Sequence, residues 1–220
     1  MWDWSYALDV LPELLRAFLV TIAATLAGFA AAACIGMGFA ILGRTRFAPV
    51  RLAIRGIVEF IRSTPLLVQL FFLYYSLPML TPLSLSAFAT GVIGLGLHYG
   101  AYLSEVYRSG IDAVPRGQWE AAKALNLSRT RTWVSVVLPQ AVPPIIPVMG
   151  NYLIVILKET PTLSAITLVE VLLTAKNTAS VTYRVFEPYT IAGILFLALS
   201  LALAYGIARI EKRLKRRAAG

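Results

Sequence analysis

Glu59 and Arg62 stand three residues apart in an otherwise apolar stretch, IVEFIRSTPLLVQL (residues 57–70). On a helix this spacing puts both side chains on one face, and Gln69, seven residues beyond Arg62, continues that face. With Ser63 and Thr64 they form a candidate substrate-facing polar track, in which Arg62 could meet a carboxylate. The alternative is a structural Glu59–Arg62 pair near the membrane interface. Ionisable groups in hydrocarbon cost roughly 2.5–3.5 kcal/mol each on insertion scales, so either reading requires partners or a wet cavity. Pro65 removes a backbone donor and frees the carbonyl of Ile61, which a neighbouring group or water must satisfy.

Lys158, Glu159 and Thr160 make a second candidate, in the stretch KETPT. Thr160 as N-cap with Pro161 at the first helical position predicts a helix running to Ala175. A helix N-terminus at membrane depth is a ready anion site. Lys158 adds positive charge there, and Glu159 could balance an amino group; the alternative is a loop cap on the outer surface. Glu170, on the same segment, reads as a solvated or paired residue, and Glu105 and Arg108 read as partners of each other or of Asp112. Catalysis has little to work with: one histidine, one cysteine, no G-x-S-x-G and no facing aspartates within apolar spans. No catalytic residue, metal or cofactor is expected, which disfavours an intramembrane enzyme. His98 reads as a satisfied histidine of the bundle and Cys34 as a small packing residue.

The elements that hold these residues must cross lipid. Of 220 residues, 58% are hydrophobic and 14% charged, with a mean hydropathy of +0.74; soluble domains carry about 25% charged residues. A crossing needs about 20 apolar residues, and the pattern predicts five in one domain spanning 1–220, at about 17–42, 57–77, 87–107, 139–157 and 189–210. The acidic, aromatic opening MWDWSYALDV lacks the positive start of a signal peptide. Small residues at Ala24, Gly28, Ala32, Gly36 and Ala40 recur every fourth position, a stripe for close helix packing within the chain or at a subunit interface. With the N-terminus outside, 15 of the 20 basic residues fall on the inner side, which places the C-terminus in the cytoplasm. The net charge of +9 is therefore a topology signal and not a nucleic-acid footprint.

Between the third and fourth spans lies GQWEAAKALNLSRTRTWVSVVLPQ (residues 117–140), inside a polar cytoplasmic loop at about 112–138. Gln118 to Leu125 tolerate or favour helix. Asn126 suits a left-handed helix end, Ser128 reads as the N-cap of a second helix, and Pro139 ends that helix before the membrane. Two short helices at a turn result.

That spacing resembles the EAA loop of ABC importer permeases: E-A-A, three residues, G, nine residues, I, one residue, L-P. Asn126 stands for the Gly and Val136 for the Ile. FIRSTPLLVQLFFLYY (residues 60–75) is similar to the R-G-T-P-L-L-V-Q-L segment of the polar amino acid branch, with Ser63 for Gly. YGAYLSEVYRSGIDAVPRGQWEAA (residues 99–122) and LKETPTLSAI (residues 157–166) also resemble that branch, the latter with Glu159 for Asp and Pro161 for Ser. FIRSTPLLVQ, GLGLHY and SEVYRSGIDAVPRGQWEAA look closest to permeases for ectoine and hydroxyectoine.

The resemblance implies an all-α membrane protein of the type I importer permease fold, resident in the bacterial inner membrane. It also implies that the loop docks into a groove on a cytoplasmic ATPase, with Gly117, Glu120, Ala121, Ala122, Asn126, Leu138 and Pro139 as coupling residues. Glu120 is expected to anchor that contact, and Ala121 and Ala122 to allow close approach. Its partners would be two ATP-binding cassette ATPase subunits, a second permease (self or sister) and an extracytoplasmic solute-binding protein. No G-x-x-x-x-G-K-[ST] occurs here, so ATP hydrolysis must belong to another chain. An ion-coupled carrier or channel for small zwitterions is the alternative; it fits the intramembrane charges and leaves the loop unexplained.

Overall fold

The computed structural model describes residues 2–218, which form eight helices. Met1 and residues 219–220, the ends of the expected single domain, lie outside the described residues. Helix α1 (Trp4–Leu42) starts thirteen residues earlier than the expected first span, because Asp3 caps it by accepting the amides of Ser5 and Tyr6. Among the described residues, three helices are long and apolar enough to cross a membrane: α1, α6 (Arg129–Ile166) and α8 (Phe186–Ala218).

The expected second span is not one straight helix. Helix α2 (Ala48–Arg62) and helix α3 (Leu66–Leu80) meet at 104° across Ser63, Thr64 and Pro65. Proline cannot bond back into α2 and disfavours helix in the residue before it, so the chain turns there. Most of α2 is exposed, with Val58 its one buried side chain, and Arg51, Arg55 and Glu59 recur every four residues along it. That places Glu59 and Arg62 at the end of an amphipathic elbow and not inside a continuous crossing.

Helix α4 (Ala87–Asp112) is the centre of the bundle, and half of its residues are buried. The small-residue stripe of α1 lies against it: Ala24, Gly28, Ala32, Gly36 and Ala40 are all buried. A Cβ at Gly36 would sit 2.8 Å from the carbonyl oxygen of Gly100, so the two backbones touch. The stripe thus packs within the chain. Leu70, Leu95, Leu103, Ile156, Leu163 and Ile166 complete the core between α3, α4 and α6. By contrast α8 buries little of its apolar length and presents Ile194, Leu197 and Leu201 outward, as a lipid-facing helix should.

Two π-turns, Phe72–Ser76 in α3 and Trp133–Val137 in α6, each end two residues before a proline. The amides of Leu77 and Leu138 reach back five residues to Phe72 and Trp133, a widened turn that makes room for the rings of Pro78 and Pro139. Pro139 accordingly does not end its helix, as the sequence suggested; α6 runs through it.

At the far end α6 tightens into a 3₁₀ turn over Thr160–Ile166, then Thr167 adopts φ 67°. Thr160 is not the cap of a new helix: its hydroxyl is buried and donates back to the carbonyl of Leu157 at 2.7 Å. The next helix, α7 (Val171–Thr182), starts ten residues later under Glu170, whose carboxylate accepts the amides of Leu172 and Leu173 at 2.9 and 2.8 Å. Glu170 is fully buried, not solvated. Past the other end of α7, Arg184 bonds Asp3 and Glu187, each at 3.0 Å, and closes the N-terminus onto the α7–α8 turn.

Candidate functional site

Two places gather the residues singled out in the sequence. The first is the break between α2 and α3. Gln69 donates to the carbonyl of Ile61 at 2.8 Å and to the Thr64 hydroxyl at 2.7 Å. Its own amide oxygen faces Nδ1 of His98 at 3.2 Å. The carbonyl freed by Pro65 is therefore satisfied by a side chain four residues further on, and His98 is a satisfied histidine of the bundle.

Arg62 and Glu59 form no ion pair. The Arg62 guanidinium lies 5.3 Å from the centre of the Tyr102 ring instead, a cation–π contact. Tyr102 belongs to an aromatic cluster with His98, Tyr99 and Tyr152, whose ring centres are 5.1–6.2 Å apart. Glu159 is within electrostatic reach of Tyr99, and Arg62 of Tyr152. A cation and a carboxylate are thus both near a cluster of three tyrosine rings drawn from α4 and α6. Sequence reasoning missed these tyrosines; Tyr99 and Tyr102, at i and i+3 in an apolar span, were the available signal.

Lys158 goes elsewhere. It lines an apolar groove of about 500 Å³ with Ile154, Phe196 and Leu197, between α6 and α8. Consecutive helical residues point about 100° apart, so Lys158 and Glu159 serve different surfaces. On the other side of Arg62 a cleft of about 570 Å³ takes in Glu59, Arg55, Ser104, Glu105 and Arg108. Glu105 and Arg108 pair with each other, while Asp112 pairs with Arg44 at 2.7 Å. Ser63 caps the C-terminus of α2 and is exposed.

The second place is the polar loop. Helix α5 (Arg116–Ala124) ends in a Schellman turn: the amide of Asn126 bonds the carbonyl of Lys123, and that of Leu127 bonds Ala122, each at 3.0 Å. Asn126 takes φ 52°, the left-handed conformation expected of it. Ser128 then caps α6, accepting the amide of Arg131. Trp119 meets Trp133 edge to face at 5.4 Å over a small core of Val114, Val137 and Ala141. The loop is thereby a rigid bracket between α4 and α6.

Its outer face carries Gly117, Glu120 and Ala121, with Leu125 73% exposed. Nothing lies within 4 Å of a Cβ at Gly117. Ala122, by contrast, is buried against the chain itself. Leu138 and Pro139 sit on α6 just past the π-turn, both exposed.

A lipid-spanning helical bundle with an interior polar break and a rigid polar bracket at one end is the architecture of a membrane transport subunit. The sequence model of the binding-protein-dependent transport system inner membrane component family matches residues 32–216. The chain belongs to that family, within its amino acid ABC permease branch. It is 43% identical over 217 residues to the probable amino-acid ABC transporter permease protein y4tG of Sinorhizobium fredii, covering 98% of this chain and 93% of that one. It is 31% identical to the probable glutamine ABC transporter permease protein GlnM of Bacillus subtilis, over 90% and 92% of the two chains. Among solved structures, an amino acid ABC transporter crystallised with histidines shares 32% identity at a TM-score of 0.90, covering 97% and 99%. The methionine transporter MetNI shares the fold at a TM-score of 0.78, with 17% identity over 94% and 98%.

Proposed function

We propose that this chain is the translocating subunit of a binding-protein-dependent ABC importer for a polar amino acid or an amino-acid-like compatible solute such as ectoine. It crosses the inner membrane five times, through α1, the bent pair α2–α3, α4, α6 and α8. Helix α4 is packed among helices, with half of its residues buried. The N-terminus lies outside and the C-terminus in the cytoplasm, following the basic residues. Two ATPase subunits dock inside, a second permease (self or sister) completes the pathway, and an extracytoplasmic binding protein delivers the solute.

The observation that carries this reading is the bracket at α5. Its Schellman turn and the Trp119–Trp133 contact fix an exposed Glu120 to the ends of two long helices, so a push on α5 is transmitted to α4 and α6. Gly117 and Ala121 keep the approach to Glu120 low. The solute passes the Arg62–Tyr102–Tyr152–Glu159 cluster, where Arg62 takes a carboxylate, Glu159 takes an amino group and the rings cover the body between them. Gln69, Ser63 and Thr64 hold the shape of that wall.

Co-purification from the native membrane tests the reading, with Glu120→Arg beside the unchanged protein. An ATPase recovered with the unchanged chain and lost from a well-folded variant is the expected result. An unchanged chain that brings down no ATPase would overturn it in favour of an ion-coupled carrier or channel.

A further inference from the structure

The basic ends of α1 and α6 part around a cleft of about 990 Å³ that lies apart from the polar break and shares Trp133 and Ala141 with the inner side of the α5 bracket. Its depth is apolar: Met37 and Ile41 of α1 face Val142, Ile146 and Met149 of α6. Its mouth carries Arg44, Arg46 and Arg129, and among the described residues no acidic side chain lines it. Arg44 is occupied by Asp112 at 2.7 Å. Arg46 and Arg129 are exposed and have no acidic partner among the described residues. Trp133, an amphipathic ring of the kind that settles at the headgroup level, lies between the cations and the apolar depth.

We infer that this cleft holds one anionic phospholipid, its phosphate on Arg46 and Arg129 and an acyl chain along Ile41, Val142 and Ile146. The order of chemistry along the cleft, cation then indole then aliphatic, is that of a phospholipid from headgroup to tail. Basic pockets between membrane helices bind anionic headgroups for this reason. The lipid would wedge the start of α6, next to the α5 bracket, against the end of α1. The inference does not depend on which solute is carried or on which side of the membrane this end lies.

Native mass spectrometry of the full chain, titrated with phosphatidylglycerol or phosphatidylcholine, tests it. One phosphatidylglycerol should be retained in preference to phosphatidylcholine. Arg46→Gln with Arg129→Gln should weaken that retention at least about tenfold, whereas Arg213→Gln with Arg216→Gln, an equal loss of charge on α8, should not. Val142→Trp should also displace the lipid by filling the cleft with the charges intact. Equal retention of both lipids would overturn the inference, as would equal loss in the α8 control. It would also fall if Val142→Trp separated permease copies and left lipid binding unchanged, for the cleft would then be a protein interface. The mouth substitutions lie on exposed residues, so they decide the matter even where the tryptophan variant fails to fold.

Discussion

The side-chain amide of Gln69 donates to the carbonyl of Ile61 at 2.8 Å, across the point where α2 and α3 part at 104°. Pro65 has no N–H to offer that carbonyl, and Gln69 supplies one from the next helix. The same carbonyl also accepts the amide and hydroxyl of Thr64, at 3.4 and 3.3 Å, so Gln69 adds the shortest of these contacts and ties the bend to the next helix.

Gln69→Leu should destabilise the protein by about 1–3 kcal/mol, because its hydrogen bonds to Ile61, Thr64 and His98 are lost together. Thermal unfolding in detergent measures it. Thr64→Val should lose part of the same network, and the double variant should lose less than the two singles together, because they share partners. An unfolding midpoint unmoved by Gln69→Leu would mean that the Thr64 donors alone serve Ile61 equally well.

The contact between α1 and α4 predicts opposite outcomes for two glycines of α1. Gly36→Ala places a methyl 2.8 Å from the Gly100 carbonyl oxygen, where backbone must move, and should cost about 1–3 kcal/mol. Gly38→Ala meets nothing within 4 Å and should be neutral or stabilising by up to about 1 kcal/mol, from helix propensity alone. Parallel melting curves separate the two.

Asn126 is the hinge of the α5 bracket. Ala at this φ of 52° costs about 1–2 kcal/mol and Gly does not. Asn126→Ala should therefore loosen the bracket and reduce recovery of an ATPase, while Asn126→Gly should match the unchanged chain. Equal behaviour of the two variants would show that backbone handedness is not what Asn126 contributes.

Much of this was legible locally. The left-handed turn at Asn126, the Ser128 cap, the α1 stripe and the freed Ile61 carbonyl each follow from a residue type and its near neighbours. Three features were not. Apolar residues continue from 57 to 77 whether or not the helix bends, so hydropathy alone reads one span where Thr64 and Pro65 break it. Thr160 looks like a cap, but its hydroxyl turns back to Leu157, and the chain waits for Glu170, a residue seldom chosen for that role. The tyrosine cluster draws Tyr152 from α6 onto Tyr99 and Tyr102 of α4, a tertiary pairing that no local pattern encodes.

At the opposite end, the hydrogen bond from Arg184 holds the Asp3 carboxyl below its ordinary value of 3.8. A depressed folded-state pKa means the clamp contributes fully above that ordinary value and is lost as pH falls through the lower folded one. Unfolding followed from pH 6 downward should show this acid-dependent loss in the unchanged protein. Asp3→Asn should begin less stable and lack that component, whereas a parallel acid profile would show that Arg184 does not depend on Asp3.

The Arg62–Glu159 arrangement makes the two ends of a zwitterion separable. Hydrogen bonds to charged groups contribute about 1.5–3 kcal/mol, so loss of either charge should raise the half-saturation concentration for uptake by roughly tenfold to a hundredfold. Arg62→Gln should do so for the intact solute and leave an analogue lacking the carboxylate nearly unaffected. Glu159→Gln should reverse that pattern, sparing an analogue without the amino group. Uptake into proteoliposomes holding the complete transporter gives both numbers. If each variant impaired both analogues alike, the charges would be shaping the wall of the pathway, and the solute would be recognised at the rings of Tyr99, Tyr102 and Tyr152.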